Sequence, residues 1–92
     1  MLGEEDFLRV TGISAEYFQD VLSLGWVETE KDEENHLLFS DSDIYRVRKL
    51  VRICDDFELP VIGGTIIVDL LERIAALEDT VRQLKADAEQ RF

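Results

Sequence analysis

From Ile67 to Ala88, apolar side chains recur at alternating spacings of three and four: Ile67, Leu70, Ile74, Leu77, Val81, Leu84 and Ala88. This is a heptad seam, with Ile67, Ile74, Val81 and Ala88 at position a and Leu70, Leu77 and Leu84 at d. No proline follows Pro60 and no glycine follows Gly64, so the pattern predicts an unbroken helix from about Thr65 to Gln90. Asp69 with Arg73 and Glu78 with Arg82 stand acid-first at i,i+4, the favourable order on a helix surface. A helix over 61–91 is about 45 Å long at ~1.5 Å per residue, whereas residues 1–60 make a domain with a radius of gyration of about 10 Å. Much of the seam therefore reaches beyond its own domain, and no second long helix precedes Phe92 to fold back over it. With β-branched residues at a and Leu at d, the expectation is a homodimer paired through Ile67, Leu70, Ile74, Leu77, Val81 and Leu84. The pattern leaves parallel and antiparallel pairing open. Ala88 marks a coil that frays at its end.

The preceding residues carry shorter patterns. Glu4 to Val10 reads as a helix with Phe7, Leu8 and Val10 inward, stopped by Thr11-Gly12. Ser14 caps a second helix with Glu16 in its first turn and Tyr17, Phe18, Val21 and Leu22 as apolar positions, and Leu24-Gly25 ends it. Two short helices joined by a tight glycine-containing turn make a helix-turn-helix candidate. Trp26 to Thr29 and His36 to Phe39 are expected to pair as a ribbon around Glu30–Asn35, placed as a wing. Ser40 then caps a third helix, with Asp41 and Asp43 in its first turn. Its buried stripe is Ile44, Val47, Leu50, Val51, Cys54 and Phe57, with Arg46, Arg48, Lys49 and Arg52 on more exposed sides and Asp55 and Asp56 positioned to pair with Arg52. Leu59-Pro60 breaks this helix. Gly63-Gly64 costs about 0.8–1.0 kcal/mol per residue in a helix, which implies close packing or a break there. The chain thus divides into a domain at 1–60 and a helical arm at 61–92.

Composition sharpens this picture. The 92 residues suffice for one small core, and 46% apolar content is that of a globular chain. The formal charge is −11, and its distribution is uneven. Residues 1–35 hold Glu4, Glu5, Asp6, Glu16, Asp20, Glu28, Glu30, Asp32, Glu33 and Glu34 against only Arg9 and Lys31, a net −8. Such a face repels phosphate and attracts a basic partner; it equally serves solubility. The single Cys54 forms no intrachain disulfide, which fits a reducing cytoplasm. No leading signal segment and no apolar run long enough for a membrane span is present.

Candidate chemistry is sparse. One His and one Cys give no zinc pattern, so no metal and no cofactor is expected. His36 reads as structural, Cys54 as a core thiol, and Asp41 and Asp43 as helix caps. The many carboxylates crowd onto a solvated ribbon tip rather than a desolvated cleft, so the chain is not expected to be an enzyme. The basic side of the third helix could contact phosphate, but the groove-facing elements, second helix and wing, are acidic or neutral, which argues against nucleic acid. Tyr17 and Trp26 pack into the small core or, if partly open beside Asp20 and Glu28, anchor a protein interface.

Thr11-Gly12-Ile13-Ser14, Leu24-Gly25-Trp26-Val27-Glu28, Phe39-Ser40 and the helix from Arg46 to Arg52 together resemble the winged-helix domain of the MerR superfamily. The implied fold is mainly α: a MerR-like winged helix-turn-helix with a small β-ribbon wing and a long C-terminal dimerisation helix. DNA-binding members carry an Arg-Tyr pair that grips phosphate; in register, this chain has Gln19 and Asp20. Their wing arginines give way here to a ribbon of Glu28, Glu30, Lys31, Asp32, Glu33 and Glu34, with Leu37 near one such position, and Ala15 to Leu24 contains no Lys or Arg. The chain is more similar to the CbpM-type chaperone modulators, which share the Thr-Gly-Ile-Ser start, the Leu-Gly-x-Val-Glu turn and Leu70-Leu71-Glu72-Arg73-Ile74-Ala75-Ala76-Leu77. That resemblance implies a protein-binding regulator that binds the J-domain of a DnaJ/CbpA-like co-chaperone and inhibits it. Charge and exposure nominate Asp20, Glu28 and Glu30 as a charged rim and Tyr17, Val21 and Trp26 as an apolar centre. The competing class is a MerR-type transcriptional regulator that binds DNA as a dimer.

Overall fold

The computed structural model describes residues 1–91. The elements are β1 (Leu2–Gly3), α1 (Glu4–Thr11), α2 (Ala15–Ser23), β2 (Glu30–Lys31), β3 (Leu37–Phe39), α3 (Asp41–Phe57) and α4 (Val61–Arg91). This is a winged helix with a long C-terminal helix. Helix boundaries follow local chemistry. Gly12 closes α1 at φ 71°, its N–H donating to Leu8 O at 2.9 Å, a left-handed cap that glycine takes without steric cost. Ser14 Oγ accepts from the Tyr17 N–H at 3.0 Å. Ser40 and Asp43 form a reciprocal capping box at the start of α3.

The sheet is small and antiparallel, in the order β1-β3-β2, with Leu2 opposite Phe39 and Glu30 opposite Leu38. Two features depart from the pattern-based expectation. β1 is an additional strand, too short to show an alternation. Trp26 to Thr29 is not a strand, because its donors go elsewhere: Trp26 N–H to Val21 O at 3.4 Å and Glu28 N–H to Asp43 Oδ1 at 3.2 Å. Trp26 and Val27 are both buried, whereas neighbouring strand residues face opposite ways.

The core centres on three phenylalanines, one each from α1, α2 and β3. Phe7 stacks on Phe39 with centroids 4.2 Å apart, and Phe18 lies 5.9 and 5.6 Å from the two. Val21, Trp26, Val27, Val47, Leu50, Cys54 and Val68 complete it. The last of these belongs to α4, so packing runs past the break at Leu59-Pro60 into the first turns of the arm. Gly64 makes the crossing possible: a Cβ there would overlap Cys54 Sγ and lie 2.7 Å from Leu50 Cδ1. Close packing, rather than a break, accounts for that glycine.

Phe57 does not join the stripe of α3; it is 69% exposed. The chain reverses at Glu58 (φ 52°), one turn beyond the crossing with α4, and after Cys54 the residues Asp55 to Phe57 are exposed. Beyond its root α4 projects freely. The radius of gyration is 16.9 Å and the longest dimension 55 Å, against about 12 Å of gyration radius for a compact chain of this length.

Candidate partner-binding surface

The acidic face begins on α2, where Asp20 is exposed and no base lies between Ala15 and Leu24. It continues through Glu28 and Glu30 and the tip from Asp32 to Glu34, all exposed. The tip is an ordered turn: Asp32 Oδ1 accepts from the His36 N–H at 2.8 Å and the Glu34 N–H at 2.9 Å. The His36 N–H, opposed by desolvation and helped less by the Glu34 N–H and the His36 ring, holds the Asp32 carboxyl below its ordinary range. The His36 ring sits 3.4 Å from Asp32 and 3.5 Å from Glu34. Asp43 is buried and spent on the capping box and Glu28, while Asp41 is exposed beside it. Among the described residues no group of three or more His, Cys, Asp or Glu could hold a metal ion.

The nominated apolar centre is not open in this chain. Val21 is fully buried, and Trp26 is 8% exposed. The Trp26 Nε1–H donates to Asp69 Oδ1 at 2.8 Å, and Arg46 stacks over the ring at 4.0 Å from its centroid. Tyr17 is half-buried. Its hydroxyl is shielded from solvent without a hydrogen-bond partner, and burial, then the neighbouring Cys54, raises it far above an ordinary phenol. Of the six nominated residues the charged three are presented to solvent, and the core takes Val21 and Trp26.

Arg46, expected on an exposed side, is instead a clamp between α3 and α4. Its Nη1–H donates to Trp26 O at 2.7 Å, its Nη2–H to Asp69 Oδ1 at 2.9 Å and its Nε–H to Glu72 Oε1 at 2.9 Å. Asp69 is thereby drawn from its expected partner Arg73, and Arg82 pairs with Asp79 at 3.3 Å rather than with Glu78. Arg52 makes no ion pair with Asp55 or Asp56 among the described residues. Arg48 donates to Val10 O at 3.1 Å, and Lys49 Nζ lies 5.6 Å from the centroid of the exposed Tyr45. Arg48, Lys49 and Arg52 thus remain a basic stripe on the outer face of α3.

Two apolar surfaces stay open. Along α4, Leu70, Ile74, Leu77, Val81 and Leu84 are each 48–63% exposed, and Ile67 is half-buried. Gly64, Thr65 and Val68 face the chain's own core; at 3.6 residues per turn the seam lies on the opposite side of the helix. The second surface is a groove of about 330 Å³ between the end of α2 and the start of α4, lined by Asp20, Ser23, Leu24, Pro60, Val61 and Ile62. Leu24 and Ile62 were outside the nominated set. Periodicity gives no sign that a helix-ending Leu stays open, and Ile62 lies off the heptad seam.

Among the described residues no helix is long and apolar enough to cross a membrane. No curated protein matches the chain. A family model described as MerR HTH family regulatory protein matches residues 2–86. The two-helix turn, three-stranded wing and long final helix agree with that match over nearly the whole length, and the chain belongs to the MerR helix-turn-helix family of regulatory proteins.

Proposed function

We propose that this MerR-family regulator acts on a protein rather than on DNA: its acidic domain binds the J-domain of a DnaJ/CbpA-like co-chaperone and inhibits it, with two copies joined through the α4 seam. The observation that carries the reading is the chemistry of α2 and the wing. These are the elements a winged helix lays on a duplex, and here they expose Asp20, Glu28, Glu30, Asp32, Glu33 and Glu34 with Lys31 as the one base. Duplex binding draws its affinity from cations that neutralise phosphate, and this surface opposes it. A J-domain engages its Hsp70 through a basic helix, and an acidic cover over that helix competes for it. The reading is non-enzymatic; the chain acts by occupancy.

A second reading is a DNA-binding transcriptional regulator. It is favoured by the stripe of Arg48, Lys49 and Arg52, which no carboxylate within the described chain neutralises. The test is titration of the dimer against a purified J-domain and against duplex DNA at low and physiological salt. The expected result is J-domain binding whose association rate falls with salt and falls further in Asp20→Lys and Glu28→Lys. Sub-micromolar duplex binding at physiological salt, with no J-domain binding, favours the second reading.

A further inference from the structure

We infer that the groove between the end of α2 and the start of α4 is the apolar docking point for a basic amphipathic helix, an assignment that rests on reading the chain as the captor of such a helix. An acidic face steers a partner, but affinity comes from a desolvated apolar centre. The core has withdrawn Val21 and Trp26 from that role. The groove supplies what they cannot: Leu24 and Ile62, 42% and 57% exposed, with Pro60 and Val61 beside them and Asp20 on the wall. Its volume of about 330 Å³ is at the lower end of the range of ligand-sized clefts.

The charge around it selects the occupant. Asp20 is the one ionic residue lining the groove, and no Lys or Arg lines it. Asp20 lies in the last turn of α2, where the helix dipole already disfavours a carboxylate. The last turn of α3, which leads through Leu59 into Pro60, repeats this arrangement with Asp55 and Asp56, followed by Glu58, and neither helix has a base in its last turn. The start of α4 is the opposing positive pole, set against two acidic helix ends. Phe57, 69% exposed between Asp56 and Glu58 in sequence, is a further open apolar side chain at that end of α3. Apolar anchors with acidic surroundings complement a helix that carries apolar residues on one face and Lys or Arg at its margins.

A second copy of α4 is the other possible occupant, and the heptad register speaks against it. With Ile67 at a, Ile62 falls at c, outside the pairing line, and Leu24 and Phe57 are not on the arm at all. Coil pairing therefore leaves this surface uncovered.

The test uses the full chain with Leu24→Ser, Ile62→Ser and the milder Leu24→Ala/Ile62→Ala pair, all at partly open positions, with Glu30→Lys on the wing as comparator. Each is titrated against a purified J-domain and against a synthetic lysine–leucine amphipathic helix, with circular dichroism and sedimentation in parallel. The groove assignment predicts that the serine changes weaken binding of both probes about tenfold or more, the loss expected when one large apolar contact is removed, with helicity and mass unchanged. Parent binding that Glu30→Lys weakens while every groove variant leaves it intact would overturn the groove and keep the acidic-capture reading. Peptide binding lost in the groove variants without any J-domain binding would keep the groove and overturn the J-domain reading. No binding of either probe overturns both. A lowered mass in Ile62→Ser would give the groove to a second copy and overturn the assignment.

Discussion

The two ends of α4 are one continuous helix with opposite fates. At its root, Gly64 admits Leu50 and Cys54, Val68 enters the core, and Asp69 and Glu72 hold Arg46. The face of the root that turns inward finds its partners within the chain. From Ile74 onward the helix has an apolar stripe as regular as any in the molecule, and it stays exposed among the described residues. The difference lies not in hydrophobicity but in whether a complementary surface lies within reach of the same chain. An apolar pattern fixes which face must be buried; the fold decides whether the chain itself can do it. Breaking either end distinguishes the two.

The largest effect is expected at the free end. Leu77 is central to the seam, and in a symmetric pair each substitution acts twice. At about 1.5–3 kcal/mol per buried large side chain, Leu77→Asp removes several kcal/mol from association and should give a monomer in sedimentation at concentrations where the parent is a dimer. The domain should stay folded, because Leu77 is exposed and lies outside the core and the residues packed against it. An unchanged dimer would show that the arm is not the interface.

The root is expected to answer in the opposite sense. Gly64→Val forces a branched side chain into Leu50 and Cys54, an overpacking that costs about 1–3 kcal/mol. Chemical denaturation should show the loss of stability even in the monomeric Leu77→Asp background. A neutral Gly64→Val would mean that the helices separate easily and that the root is no more fixed than the arm.

How far the sequence foretold this contrast follows the range of the forces involved. The span of α4, the caps at Ser14 and Ser40 and the stop at Gly12 all follow from chemistry within a turn or two, whereas the sequence left Gly64 open between close packing and a break, because the atoms it meets belong to Leu50 and Cys54 on another helix. What escaped depends on distant partners. Trp26 and Asp69 meet across 43 positions, so neither the loop character of Trp26–Thr29 nor the burial of Arg46 is visible in any local pattern. Phe57 sits on the periodic stripe and is exposed because the chain turns before a neighbour reaches it. In the candidate site the exposure of Asp20, Glu28 and Glu30 was legible, since exposed acid needs no partner. The apolar centre was not, because an aromatic or Val in an amphipathic helix looks the same whether it anchors a partner or fills the core.

The clamp gives a smaller effect than Gly64. Arg46→Gln removes three charge-assisted donors and the stacking over Trp26, from a side chain only 21% exposed. Hydrogen bonds to charged groups contribute about 1.5–3 kcal/mol when sheltered. The half-open carboxylates of Asp69 and Glu72 can return to water, so about 1–2 kcal/mol is expected overall. The readout specific to the clamp is the Trp26 indole N–H resonance, which should shift as Asp69 loses its second partner. A stability change without that shift would mean that Arg46 acts through packing alone.

The same kind of contact in the arm should count for least. Asp79 and Arg82 are an ion pair at 3.3 Å, but their side chains are 63% and 68% exposed, and each charge remains hydrated. Exposed pairs of this spacing contribute about 0.2–0.5 kcal/mol, and salt screens them. Asp79→Asn should therefore change stability by less than about 0.5 kcal/mol, and raising the ionic strength should remove what difference exists, since the Debye length is about 8 Å at physiological salt and shorter above it. The Arg46 effect, sheltered against Trp26, should persist under the same conditions. The sharper form of the comparison is this difference in salt response, measured on both variants in the Leu77→Asp background so that dimerisation does not enter. If Asp79→Asn proves as costly as Arg46→Gln and as insensitive to salt, the arm is not a solvated helix in the monomer, and its exposed stripe has a partner within the chain after all.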